Sequence, residues 1–457
     1  GGAELRMIPY WWRGGRFCLV DIKTAGEPLT LHRLALLTSG HPFEWVGSFQ
    51  CDQDERVQPI LKCCRRPLEV SSWDTYEDSP YYEQLMYIGD TRLEALMTYV
   101  GNANHALPKR ALQLLNASRQ VWLGLPACRF PAQVDQLIPS FCLKYIWMIK
   151  DFSDWRDEPD FVRSLMPGCR EILWRFQKWE NQDGLLEKVD GWPYIDWVAS
   201  WQFGIPSEGR GGLCCLHNLV YLLAFQTASA LESVHGEPEL AALWSRRASS
   251  LSDKIRRLFF HEANGCLADD RAHQHWSQQA QVYGTLTGVL SPSEGASALD
   301  VACADSSFSI PSYVFRFYLF EALRRIGRAG QIVDALEGWQ EMIDKGAVTV
   351  WEKLEPSRSD CHAWSAHPLF HLPCSVLGIR PASAGFQAVE IAPQPGKLQT
   401  AKARVAHPQG VIEADLSFDA EGACRGEVSL PKGISGTFLW NGVTKPLIPG
   451  SQSIQAG

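Results

Sequence analysis

Two acidic, aromatic-rich segments stand far apart in this chain: Trp73-Asp-Thr-Tyr-Glu-Asp-Ser-Pro-Tyr-Tyr-Glu-Gln-Leu-Met-Tyr-Ile-Gly-Asp90 and Thr349-Val-Trp-Glu-Lys-Leu-Glu355. Paired carboxylates among aromatic rings suit the breaking of a glycosidic bond. One acid protonates the leaving oxygen, a second carboxylate activates water or attacks the sugar, and ring faces hold it. Ser79-Pro80 predicts a helix start, which would put Glu83 in a first turn with Tyr87 and Asp90 on the same face, beside Asp78. Spacing alone favours the plainer reading, in which Glu83 serves a helix dipole and Asp90 is solvated.

Glu352 follows the apolar stretch Gly346-Ala-Val-Thr-Val-Trp351 and is expected to be partly buried; local sequence also permits a surface acid. His362 lies ten residues on, and a lone histidine is as readily a core or surface residue. Gly191-Trp-Pro-Tyr-Ile-Asp-Trp197 sets Trp192 and Trp197 around Asp196. Indole faces stack on sugars and an aspartate accepts their hydroxyls, although any one tryptophan could equally be core.

These residues need a scaffold, and the periodicity supplies one. Positions 17–23 and 29–38 read as strands around a Gly-Glu-Pro turn, too few to bury a sheet face alone. Helical spacing then runs through 57–70, 80–99, 108–121, 139–152, 161–179, 212–233, 237–260, 276–290, 311–326, 331–343 and 364–377, with a twelfth helix expected at 194–201. Twelve helices without a fixed-length repeat predict an (α/α)6 barrel, a toroid of six hairpins, with loops at one end around a central pocket. Short alternating strands follow at 386–392, 398–406, 411–418, 425–430 and 435–440, the last ending in a hairpin turn at Asn441-Gly442. The expected organisation is therefore a β remnant over 1–50, the helical barrel over 51–380 and an antiparallel β-sandwich over 381–457.

Composition narrows the class. At 46% hydrophobic and 21% charged, the 457 residues read as an ordinary globular protein. The net charge of −8 carries no basic patch, which argues against nucleic acid, and no apolar run is long enough to span a membrane. The fourteen cysteines show neither a disulfide framework nor a zinc-binding spacing. They read as small buried residues in a reducing compartment, which makes the cytoplasm the expected location. The opening Gly1-Gly2-Ala3 resembles neither an initiator nor a signal peptide, so the chain is expected to begin inside a longer protein.

The segment Asp78-Ser-Pro-Tyr-Tyr-Glu-Gln-Leu-Met-Tyr-Ile-Gly-Asp90 resembles the "D-C-P…E…G-D" stretch of glycoside hydrolase family 78, the bacterial and fungal α-L-rhamnosidases. The run from Thr349 to Trp364 resembles that family's second acidic segment, and Tyr194-Ile-Asp-Trp197 its aromatic loop. The resemblance covers residues 50–380 in order and reaches both β flanks. It implies an inverting hydrolysis without metal or other cofactor, with Glu83 as general acid and Glu352 as general base. It further implies that Asp78, Asp90 and His362 bind the sugar, with Tyr87, Trp192, Asp196 and Trp197 lining its pocket. The implied partner is a carbohydrate, with a homodimer left open. The chain departs from the family in having Ser79 before the proline, Tyr81-Tyr82 before the acid, and one position fewer between Asp78 and Glu83. Another deoxysugar or hexose therefore stays open. So do a different (α/α)6 exo-glycosidase, an unsaturated uronyl hydrolase using Arg92, Arg129 or Arg358, and a carbohydrate-binding homologue without activity.

Overall fold

The computed structural model describes residues 8–9, 11–15, 17–120 and 124–457. The opening Gly1-Gly2-Ala3, Arg16 and position 121 lie outside them.

Helices alternate between outside and inside. The outer members are α1 (Val57–Val70), α3 (Ala106–Ser118), α5 (Pro159–Phe176), α7 (Pro238–Phe259), α9 (Pro292–Ala304) and the short pair α11 (Gln331–Asp334) and α12 (Glu337–Asp344). Between them run α2 (Ile88–Gly101), α4 (Pro139–Trp155), α6 (Cys215–His235), α8 (Gln278–Thr287) and α10 (Tyr313–Arg325). These five pack each on the next, and the broken helical segment 363–376, which contains α13 (Pro368–His371), touches both α2 and α10 and closes the ring.

Composition explains the sorting. Every residue of α2 except Arg92 is buried, as an inner helix requires, whereas α7 buries a stripe of Ala241, Trp244, Ala248, Leu251, Ile255 and Phe259 and turns its charges to water. This is the six-hairpin toroid that the periodicity predicts.

Three details of the helical reading are corrected. Residues 80–87 are turns rather than the start of a helix, because Gln84 adopts a left-handed φ of 55° and the chain closes a loop before α2 begins. Residues 194–201 form no helix, since the chain folds back from Gly204 to Ile195. The helix omitted was α9, whose Ala, Ser and Gly side chains give a faint apolar rhythm. It is fixed instead by a capping box between Ser291 and Glu294.

Strand β1 (Ser48–Gln50) precedes the barrel, and β2 (Phe260–His261) pairs with β3 (Cys266–Leu267) inside it. After the barrel come β4 (Ile379–Pro381), β5 (Ala388–Ile391), β6 (Thr400–His407), β7 (Gly410–Phe418), β8 (Cys424–Leu430), β9 (Ser435–Trp440), β10 (Val443–Leu447) and β11 (Gly450–Ala456). One sheet has the order β1-β6-β7-β8-β11, the other β10-β9-β5-β4. The second is not wholly antiparallel as expected: β5 and β9 run parallel, with Ala388 opposite Ser435, because the chain passes through the other sheet between them. Asn441 and Gly442 turn the β9–β10 hairpin at φ 46° and 80°.

The strands expected at 17–23 and 29–38 do not form among the described residues; Phe17 and Leu19 are 93% and 95% exposed. Among the described residues no strand pairs with them, and an extended segment without a partner leaves its peptide groups to water.

Barrel and β-domain meet at a charged seam. Arg380 of β4 donates to both Glu321 oxygens of α10, at 2.8 and 2.5 Å. Burial would push the Glu321 carboxyl up, but the Arg380 charge and hydrogen bonds outweigh it and hold the group at about 2.

Candidate active site

At one end of the barrel, loops from four stretches of chain enclose a cavity of about 140 Å³, lined by Asp78, Glu83, Tyr87, Asp90, Ile138, Phe141, Trp192, Tyr194, Trp197, Glu352, Arg358, His362 and Trp364. The predicted site residues gather here with one exception, Asp196.

The first stretch is the loop before α2. Asp78 and Leu85 close it reciprocally: the Asp78 amide donates to the Leu85 carbonyl and the Leu85 amide to Asp78 Oδ1, both at 2.9 Å. Gln84 Nε2 ties back to the Pro80 carbonyl at 2.9 Å. The closed ring holds Glu83 at its rim, one-quarter exposed, and directs Asp78 inward, where it is buried. Asp90 then sits in the first turn of α2, also buried. Gly89 beside it leaves room for Phe141, whose ring a Cβ there would meet at 2.5 Å. The N-terminal segment lies over this loop. Trp11, Trp12 and Trp73 stack in sequence at 4.0 and 4.7 Å, Trp11 Nε1 donates to Gln84 and Trp12 Nε1 to Glu77.

The second stretch is the return 350–362. The Glu352 amide donates to the Ser359 carbonyl and the His362 amide to the Val350 carbonyl, so Glu352, Arg358 and His362 emerge side by side. Trp364 Nε1 fixes the Glu352 carbonyl at 2.7 Å. His362 Nε2 lies 3.1 Å from Asp90 Oδ1, and both side chains are buried.

The third is the aromatic loop. Trp192, Tyr194 and Trp197 pack within 5.2 to 5.8 Å of one another. Gly204, at φ 69°, makes this possible, since a Cβ there would strike the Tyr194 ring at 2.5 Å. Asp196 points the other way. Its carboxylate accepts from Gln279 Nε2 at 2.8 Å, from the Ser312 amide at 3.1 Å and from the Ser312 hydroxyl, so it pins the loop to α8 and α10 rather than meeting a ligand. Asp-Trp read as a sugar-binding pair cannot distinguish these orientations, because neighbouring residues in an extended loop face opposite ways.

Electrostatics set the floor apart from the rim. Burial pushes Asp78 up to about 7, against the pull of His362. Asp90 is likewise raised by burial and eased by its His362 hydrogen bond. For His362, burial favours the neutral ring, but the Asp90 bond and the charges of Asp90, Asp78 and Glu352 outweigh it and raise the imidazole. Asp78 Oδ2, Glu352 Oε2, His362 Nδ1 and the Tyr194 hydroxyl are all buried without a protein partner. All four residues line the cavity, and a hydroxylated ligand there would offer such groups hydrogen-bond partners.

Sequence reading placed Arg358 only as an alternative. Its Nη2 donates to Glu83 Oε1 at 2.6 Å and Glu352 Oε1 at 3.3 Å, and its guanidinium stands 5.4 Å from the centre of the Tyr82 ring. Of the other two arginines named with it, Arg92 pairs with Asp151 away from the cavity, and Arg129 donates to the Tyr87 hydroxyl at 2.5 Å. Phe141 carried no signal beyond helical apolar spacing, Ile138 lies one residue before the helix expected at 139–152, and Trp364 entered as the last residue of the second acidic segment.

Residues 44–376 match the bacterial α-L-rhamnosidase six-hairpin glycosidase domain, and residues 378–454 match the bacterial α-L-rhamnosidase C-terminal domain. Among solved structures, the family 78 rhamnosidase of Bacillus sp. GL1 is similar at 26% identity and a TM-score of 0.79, over 88% of this chain and 43% of that one. The Klebsiella oxytoca rhamnosidase, solved with rhamnose bound, aligns at 21% identity and a TM-score of 0.63 over 71% of this chain and 64% of that one. The Aspergillus terreus α-L-rhamnosidase shares the fold at 13% identity and a TM-score of 0.77, over 91% of this chain and 50% of that one. The chain thus spans less than half the length of the Bacillus enzyme. No curated protein matches the sequence. With both domain matches in register with the barrel and the sheets, the chain belongs to the bacterial α-L-rhamnosidase family of six-hairpin glycoside hydrolases.

Proposed function

We propose that this chain removes terminal α-L-rhamnosyl or closely related residues from glycosides, with inversion at the anomeric carbon. The observation that carries the reading is the set of buried, unpartnered atoms on Asp78, Glu352 and His362, in an aromatic cavity with Glu83 at its mouth. A single sugar would satisfy the floor with its hydroxyls, stack on Trp192 and Trp197, and present its glycosidic oxygen to Glu83.

Glu83 then gives its proton to that oxygen as the glycosidic bond breaks. Glu352, 3% exposed, takes a proton from the water that attacks the opposite face of the anomeric carbon. Asp78, Asp90 and His362 orient the ring. The N-terminal tryptophans buttress the loop that aims Glu83. The fourteen free cysteines support a reducing, cytoplasmic setting for this activity.

The test is a panel of aryl glycosides led by the α-L-rhamnoside, assayed with the wild type and with Glu83→Gln. Rhamnoside turnover that disappears in the variant is the expected result. Turnover of another sugar with the same dependence would reassign the glycone. A folded protein that hydrolyses none of them would overturn the reading.

A further inference from the structure

Arg358 does not belong to the floor that receives the sugar. It rises from the return between Glu352 and His362, its side chain is 46% exposed, and it reaches over Tyr82, itself 52% exposed. Asp78, Asp90 and His362, by contrast, are each 2% exposed or less. Its shorter contact is to Glu83, at 2.6 Å, which on the proposed reading faces the leaving oxygen. The guanidinium therefore stands where the leaving group enters and departs.

Its present partners cannot both be kept during turnover. A glycosidic oxygen needs hydrogen-bond contact with Glu83, and a water needs room beside Glu352, yet one guanidinium nitrogen occupies the space between the two carboxylates. Substrate entry must displace Arg358 outward. The displaced cation stays tethered beside Tyr82 with its ion pair broken, so a negative group on the leaving moiety would restore what the sugar removes.

Resting on the glycosidase reading, we propose that Arg358 is a specificity residue for the leaving-group side, and that the preferred substrates carry a carboxylate next to the scissile bond, as a uronic acid or an acidic aglycone would. Tyr81 and Tyr82, edge to face at 5.2 Å, form the adjoining wall against which such a group lies.

The test separates binding from turnover by using two thioglycosides that resist hydrolysis, 3-carboxyphenyl and 3-carbamoylphenyl 1-thio-α-L-rhamnoside, titrated calorimetrically. The wild type should bind the carboxylate roughly three- to fivefold tighter, as a half-exposed ion pair allows. That preference should vanish in Arg358→Ala, survive in part in Arg358→Lys, and shrink as salt is raised. Equal affinities in the wild type, or a preference unchanged in Arg358→Ala, would overturn the proposal. So would Arg358-dependent preference for a glucuronide over the rhamnoside, which would put the anion on the glycone, or failure of either thioglycoside to bind. Discrimination that persists in a protein unable to hydrolyse the matching O-glycosides would spare this site and condemn the reaction instead.

Discussion

Glu83 and Glu352, contributed by the first and last hairpins of the barrel, are joined through a single nitrogen of Arg358, at 2.6 and 3.3 Å. Their nearest oxygens therefore stand within about 6 Å, between the roughly 5–5.5 Å of a retaining pair and the roughly 6.5–9.5 Å of an inverting one. Inversion predicts that β-L-rhamnose is the first product from an α-L-rhamnoside, read by proton NMR before mutarotation. First appearance of the α anomer would make Glu352 a nucleophile and the separation of the carboxylates the short, retaining one.

Removing either carboxylate should affect rate far more than folding. For Glu83→Gln and Glu352→Gln, kcat should fall by about 10² to 10⁴, the range a general acid or base supplies. Circular dichroism melts should stay within a few degrees of the wild type. A melt that collapses along with the rate would show a structural rather than a chemical role.

Asp196 should behave in the opposite way. Its three acceptor bonds hold the aromatic loop to α8 and α10, so Asp196→Ala strands the Ser312 amide and Gln279 in the interior. A loss of roughly 2–4 kcal/mol in urea unfolding is expected. Retained KM in the surviving folded enzyme would agree; a raised KM at unchanged stability would return Asp196 to the ligand.

At the seam, the Glu321–Arg380 pair makes a signed pH prediction. The folded carboxyl is held at about 2, below an ordinary glutamate, so its stabilisation is fully present above about 4.3 and drains away as pH falls towards 2. Arg380→Ala should cost roughly 2–3 kcal/mol near neutrality, discounted for partial exposure, and should flatten that acid limb. Melting curves from pH 5 to 2.5 on both proteins check it; parallel curves would dismiss the pair as a stabiliser.

Asp78 offers a test within the cavity. Burial lifts its carboxyl to about 7, so lowering pH through that region adds a proton to the group expected to accept sugar hydroxyls. The kcat/KM profile should fall on the acid side of about 7, and Asp78→Asn should lack that inflection while binding sugar more weakly.

Much of this site was legible because its chemistry is local. Asp78, Glu83 and Asp90 lie on one short stretch, and Glu352 and His362 on another, so residue type and spacing marked them as candidates, and the resemblance to family 78 chose among the readings that spacing left open. The barrel was legible because apolar residues recur at helical spacing through both wholly buried helices such as α2 and striped ones such as α7, in a number that six hairpins require. What escaped depends on geometry that spacing does not encode. The turn at Gln84 replaces the helix expected after Pro80, and Asp196 points away from its neighbour Trp197. Arg358 stood in the sequence only as one of three arginines that could meet a uronic acid, and the return from Glu352 to Ser359 is what folds it between the acids. The strands expected at 17–38 failed for a different reason: alternation records a preference, and only a partner edge turns it into a sheet.

The three residues of β1 reach across the barrel's beginning to pair with β6, Ser48 opposite Arg404 and Gln50 opposite Lys402, with Phe49 buried between them. The C-terminal sheets are consequently not a module that can be excised. Residues 378–457 produced alone would bare the flank of β6 along its full length, inviting self-association edge to edge, whereas the intact chain carries its own short guard for part of that flank.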